Sequence, residues 1–123
     1  MNEEFKMHEP GKLKIRLFDS GATRDTDQDK LDYEGFLSPF VLERYAEYLH
    51  KHRKMSDGSM RASDNWQKGM PVEVYMKSAC RHFFSVWKNH RRGIVNQDEV
   101  CALLFNIMGI LFESLNVREV ENP

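Results

Sequence analysis

The chain has 123 residues, 41% hydrophobic and 30% charged, with a formal net charge of -1. That is the size of one ordinary domain, with enough apolar material for a core. The charge balance excludes a general nucleic-acid binder, which needs a basic surface, and no run approaches the ~18 apolar residues of a membrane span.

Residues 1–12, MNEEFKMHEPGK, are polar and lack the apolar stretch of a secretory leader. They read as a loose N-terminus. KLKIRLFD follows, with Leu13, Ile15 and Leu17 alternating against Lys12, Lys14 and Arg16. That is a short strand pattern. Residues 20–37 have neither a helical nor a strand period and carry Arg24 and Lys30 among several acids. Asp25, Asp27 and Asp29 have the spacing of a calcium loop, but Lys30 stands where that loop needs Gly and Phe36 where it needs Glu. The motif is rejected, and the segment reads as a long loop, either solvated or in contact with a ligand.

Ser38-Pro39 is a helix start, an N-cap followed by Pro in the first turn. The predicted helix runs to Lys54, with Phe40, Val41, Leu42, Tyr45, Tyr48 and Leu49 as its apolar stripe. Glu43, Glu47 and His50 line another face. Two carboxylates one turn apart repel unless they are solvated or bridged by a cation, so this face is either exposed or a metal-binding edge. Residues 55–70 form a second long loop, turned at Asp57-Gly58. Its SDNWQKG run surrounds Trp66 with Asn65 and Lys68; a Trp so placed pins the loop to the core or stacks on a base.

Pro71 opens the next predicted helix, to His90, with a core stripe of Val72, Met76, Ala79, Phe83, Val86 and Trp87. Lys77 and Arg81, one turn apart, suit phosphate oxygens, Arg through its planar fork. Phe84 beside them predicts that this face meets something. His82 borders the apolar stripe, as a structural histidine or as a ligand or base. Arg91, Arg92 and Gly93 terminate the helix, and Asn96 or Asp98 caps the last one. From Asp98 to Asn116 that last helix is apolar almost all round, so it should be buried on most sides. Glu99, Asn106 and Glu113 interrupt it at heptad spacing, with the small residues Ala102 and Gly109 between them, leaving a thin polar seam that a backbone, a ligand or water could approach. Residues 117–123 read as a frayed tail. Cys80 and Cys101 fall inside predicted helices without CxxC spacing and read as buried thiols of a reducing, cytoplasmic compartment.

The expected architecture is therefore mainly α: one domain over 1–123, a helical bundle of three long helices with two long loops and at most one short N-terminal strand. The apolar last helix needs more cover than two neighbours give, which predicts a homodimer or higher homo-oligomer. There is no Walker A loop, GxGxxG, GxSxG or HExxH.

Three segments, GATRDTDQDKLDYEGFLSPFVLERYAEYLHKHR, SDNWQKGMPVEVYMKSACRHFFSVWKNHRRG and EVCALLFNIMGILFE, resemble a bacteriophage family of dATP/dGTP diphosphohydrolases, related to MazG-like all-α nucleotide pyrophosphohydrolases. The likeness spans roughly Gly21 to Glu113. It implies hydrolysis of a purine deoxynucleoside triphosphate to monophosphate and pyrophosphate with Mg²⁺ or Mn²⁺, which bridges the phosphates and activates water. The sequence departs from the MazG pattern in having no ExxE and no ExxD, and in carrying Ser85 where family members have Asp. On this resemblance Glu43, Glu47 and Glu99 are the candidate metal ligands, and Glu47, His82 and Glu99 the candidate catalytic set. Arg24, Lys30, Lys68, Lys77 and Arg81 form the phosphate-binding pool, Trp66 stacks on the base, and Asn65 or Asn106 reads its edge. Two other readings compete: a module that captures a nucleotide without turnover, and an interaction protein that binds a host protein.

Overall fold

The computed structural model describes the backbone of residues 3–6 and 15–121, and side chains from 15 to 115. The chain gathers into two compact units, residues 1–38 and 39–123. Among the described residues it is mainly helical, with a small sheet.

In the first unit, β1 (Glu3–Lys6), β2 (Ile15–Phe18) and β3 (Thr23–Asp25) form an antiparallel sheet with β2 in the centre. Glu3 pairs with Phe18, and Leu17 with Thr23. The strand expected from the alternation at 13–17 therefore has two partners, one of them from the segment expected to be loose. Residues 1, 2 and 7–14, Leu13 and Lys14 of the predicted alternation among them, lie outside the described residues. The turn between β2 and β3 closes with the Gly21 amide donating to the Phe18 carbonyl at 2.9 Å, and Gly21 takes φ 91°. Only glycine adopts that conformation without strain. The 20–37 segment is thus not structureless. It contains β3 and the short α1 (Tyr33–Phe36), capped by Asp32, whose Oδ1 accepts from the Gly35 amide at 2.9 Å. Two of the three Asp positions meet Arg16: its Nε donates to the Asp25 backbone carbonyl, and its Nη1 lies 3.6 Å from the Asp27 carboxylate.

The second unit holds α2 (Pro39–Lys51), a 3₁₀ turn (Asn65–Lys68), α3 (Val72–Arg91) and α4 (Gln97–Glu121). α2 stops three residues short of the predicted end, because the chain turns back at His52 and Lys54 bridges to Met60. α3 and α4 form an antiparallel hairpin through a short link closed by Gly93, φ 71°. Asn96 is the cap of α4: its Oδ1 accepts from the Glu99 amide at 3.1 Å. α4 continues to Glu121, past the predicted end at Asn116. No helix among the described residues is long and apolar enough to cross a membrane.

The core is narrow. Its centre is Tyr75, 1% exposed, with Ala79, Cys101 and Ala102. Of the stripe predicted for α3, only Ala79 is buried; Val72, Met76, Phe83 and Trp87 are exposed. Cys80, expected to be buried, is exposed as well. Tyr75 takes the centre because α4 offers a hollow there. A Cβ on Gly109 would stand 2.2 Å from Cε1 of Tyr75, far inside carbon contact distance. The thin seam on α4 thus admits a side chain of α3.

Candidate functional site

Between α2, the 3₁₀ turn and α4 lies a cavity of about 500 Å³, within the range of small-molecule sites. Tyr48, His52, Trp66 and Phe105 supply rings, Arg53 and Arg61 cations, and Asn65 an amide; Leu49, Ala62, Ser63 and Met70 complete the lining. Trp66 is fixed by an edge-to-face contact with Phe112, centroids 4.6 Å apart. Tyr48 and His52, one turn apart on the α2 end, have centroids 4.3 Å apart.

The turn at Asp57-Gly58 positions the two arginines. The Ser59 hydroxyl and amide both donate to Asp57 Oδ1, at 2.6 and 2.9 Å. These bonds, the hydroxyl's foremost, hold the Asp57 carboxyl below its usual range. The Lys54–Met60 bridge sets Arg53 opposite Arg61, whose amide donates to the Arg53 carbonyl at 2.9 Å. Arg53 Nε donates to the Arg61 carbonyl at 2.8 Å, and Arg61 Nη1 to the His52 carbonyl at 3.4 Å. Each guanidinium carries five N–H groups, so both keep donors for a ligand. Neither arginine was singled out from the sequence. The available signal was the D-G turn itself: Arg53 and Arg61 each lie four residues from Asp57, so a reversal centred on it brings them across from each other.

Of the predicted substrate-binding residues, Asn65 and Trp66 line the cavity. Lys68 follows them on the 3₁₀ turn but is not among the lining residues. Lys77 and Arg81 are exposed on α3. Arg24 and Lys30 are exposed in the first unit. Asn106 is 5% exposed, and its Nδ2 donates to the Ala102 carbonyl one turn back at 2.8 Å. It is a core residue of the helix hairpin, not a cavity residue.

His82 and Glu99 do meet: Nδ1 and Oε1 are 2.6 Å apart, on α3 and α4, both partly buried. The Asn96 cap fixes the turn of helix that presents Glu99. Glu43 and Glu47 lie exposed on α2. Among the described residues no group of three or more His, Cys, Asp and Glu gathers where one ion could be held. Glu43, Glu47 and Glu99, the expected metal ligands, do not by themselves form such a group among the described residues. Glu113 is used structurally, accepting from the Met70 amide at 3.0 Å where the chain enters α3.

A second, shallower groove on α3 is lined by Phe84, Trp87, Lys88, Arg91 and Arg92. Lys88 Nζ lies 5.2 Å from the Phe84 centroid, and the Arg91 guanidinium 5.6 Å from that of Trp87. Cation–π contact is what allows Phe84 to sit on a charged face.

α2 is joined to α4 by Asp98, which accepts from Arg44 Nη2 at 2.6 Å and from Lys51 Nζ. Arg44 Nε also donates to Gln97 Oε1 at 2.8 Å. Lys51 first, then Arg44, hold the Asp98 carboxyl below its usual range. Deeper in the same contact, burial pushes the Tyr45 phenol up to about 12.

No protein-family model, curated protein or solved structure matches the chain.

Proposed function

We propose that the chain binds a purine nucleotide in the cavity between α2, the 3₁₀ turn and α4. The observation that carries this is the lining: four rings and two arginines around a cavity of about 500 Å³. Trp66 and Tyr48 offer faces for a base, a contact worth about 1–3 kcal/mol in stacking sites. Arg53 and Arg61 take phosphate oxygens, and Asn65 reads a base edge through its paired donor and acceptor. The resemblance to the phage diphosphohydrolases supports the choice of dATP or dGTP.

Binding without turnover is the reading that the geometry supports best. Hydrolysis to monophosphate and pyrophosphate is the second reading, and the His82–Glu99 pair favours it. A carboxylate that accepts from one ring nitrogen fixes the tautomer and leaves the other nitrogen to take a proton from water. Neither residue is among those lining the cavity.

The test is a melting-temperature panel of dNTPs and NTPs, run alongside pyrophosphate release with Mg²⁺ or Mn²⁺. A nucleotide at 100 times its Kd stabilises the native state by about 2.7 kcal/mol. The expected result is stabilisation by dATP or dGTP that Trp66→Ala and Arg53→Ala each abolish. Stabilisation without pyrophosphate marks the binding module, and release that requires His82 marks the hydrolase. No shift with any nucleotide, from folded protein, overturns both.

A further inference from the structure

We propose that the outer face of α3 is a docking site for an acidic amphipathic helix of a partner protein, whose carboxylates meet Lys77, Arg81, Lys88 and Arg91 and whose apolar side chain enters the groove between Phe84 and Trp87. None of these residues lines the cavity assigned to the nucleotide, so the inference is independent of that reading.

The sequence sets up the charge. Between Glu73 and Asp98 the chain has no Asp or Glu, yet it carries Lys77, Arg81, Lys88, Arg91 and Arg92, in a protein whose formal net charge is -1. The helix then sorts them. At 100° per residue Lys77, Arg81, Phe84, Lys88 and Arg91 fall on one face, opposite the buried Tyr75 and Ala79 and the contact with α4. They cover about 21 Å of helix. Among the described residues none of the five cations has a carboxylate partner. Phe84 is 54% and Trp87 46% exposed, in a groove of about 320 Å³. Five unneutralised cations around two exposed rings form a surface that lacks its complement.

Local geometry selects the occupant. Lys88 Nζ stands over the Phe84 ring and the Arg91 guanidinium over that of Trp87. A nucleic-acid base stacking on those faces would have to displace the cation. A carboxylate meets the outer N–H edge of the same guanidinium and leaves the stack in place, and the ring beneath holds the fork in a fixed orientation. A bilayer needs an apolar face to insert, and here both rings lie under cations. The cations with Phe84 repeat every four and three residues, the period at which a second helix presents side chains along a seam. A partner helix with glutamates in that repeat and one aromatic side chain among them matches both the charge and the groove.

The experiment is fluorescence anisotropy on the full chain with a labelled synthetic helix of about 20 residues, carrying glutamates in the four-three repeat and one central Phe. Saturable binding is expected, weakened severalfold as salt rises from about 0.05 to 0.3 M. Arg81→Glu with Arg91→Glu should weaken it about 30-fold or more while the helical circular dichroism is kept. Replacing the central Phe of the peptide by Ser should weaken it about tenfold, a comparison that does not depend on any variant folding. No binding at ~1 mM peptide overturns the proposal. So does equal binding of the peptide without its Phe, binding that survives the double reversal, or tighter binding of an oligo-dT strand or of phosphatidylserine vesicles.

Discussion

Gly109→Ala tests how closely α3 and α4 approach. Two effects oppose each other. In a helix interior Ala is favoured over Gly by about 1 kcal/mol, so at an open position the change would stabilise. At this one the new Cβ would lie 2.2, 2.4 and 2.6 Å from Cε1, Cζ and Cδ1 of Tyr75. Carbon contacts are optimal at about 3.5–4.0 Å, so ring and helix must part by ~1 Å or more. The ring is 1% exposed and cannot swing into solvent. Overpacking of this kind costs about 1–3 kcal/mol, occasionally more, and three simultaneous contacts place this case at the top of that range. The expected net loss is about 2 kcal/mol, a fall in Tm of ~10 °C for a unit of this size. Urea unfolding followed by circular dichroism measures it. In a Tyr75→Ala background the clash is gone, and the same substitution should become neutral or stabilising by up to ~1 kcal/mol. A Gly109→Ala protein as stable as the parent would refute the close approach, and with it the reason why Tyr75 is the core.

Three further outcomes are expected. Tyr45 has its phenol pushed from 10.0 to about 12 by burial, so the neutral ring is favoured in the fold; its contribution is complete below pH ~10 and is lost as pH rises from there towards 12. Tyr45→Phe should flatten that part of the alkaline melting profile, and an unchanged slope would count against the burial. Asp98 has its carboxyl lowered, so its contribution is present at neutral pH and is lost as pH falls below the ordinary carboxylate range; Asp98→Asn should lower Tm at pH 7, and by less at high salt, because exposed pairs are screened. His82→Ala should cost about 1 kcal/mol through the lost bond to Glu99, and Glu99→Gln less, since an amide oxygen can still accept; chemical denaturation separates the two.

What could be read from the sequence was local chemistry. Ser38-Pro39, Pro71, Gly93 and Asn96 each act on the residues beside them, so three helix starts and one stop were legible. Trp66 and Asn65, which line the cavity, stood out because a polar run around a Trp is unusual in itself. The failures are contacts that only the fold creates. Val74, Tyr75 and Met76 are three apolar residues in a row, and a stripe can be drawn through more than one of them; the hollow at Ala102 and Gly109 decides for Tyr75. Arg53 and Arg61 belong to a helix end and a loop until the Asp57-Gly58 turn folds them together. Glu43 and Glu47 satisfied a metal-edge pattern, but which face of α2 meets α4 is set by Arg44, Tyr45 and Tyr48. β1 was hidden because EEFK has no alternation of its own and depends on pairing with β2.

The Arg44–Asp98–Lys51 attachment has a consequence for motion. Much of what ties α2 to α4 is polar and within reach of water, whereas α3 and α4 are joined through a buried ring. The two therefore should not exchange their amide protons together. The expected behaviour is a hairpin that exchanges as one slow cooperative unit and an α2 that exchanges faster, opening without unfolding the rest. The cavity lies on the line between them, with Tyr48 and His52 on the moving wall and Phe105 on the fixed one. Whatever fills it joins a labile element to a stable one, and occupancy would be read most directly as slowed hydrogen exchange in α2 alone.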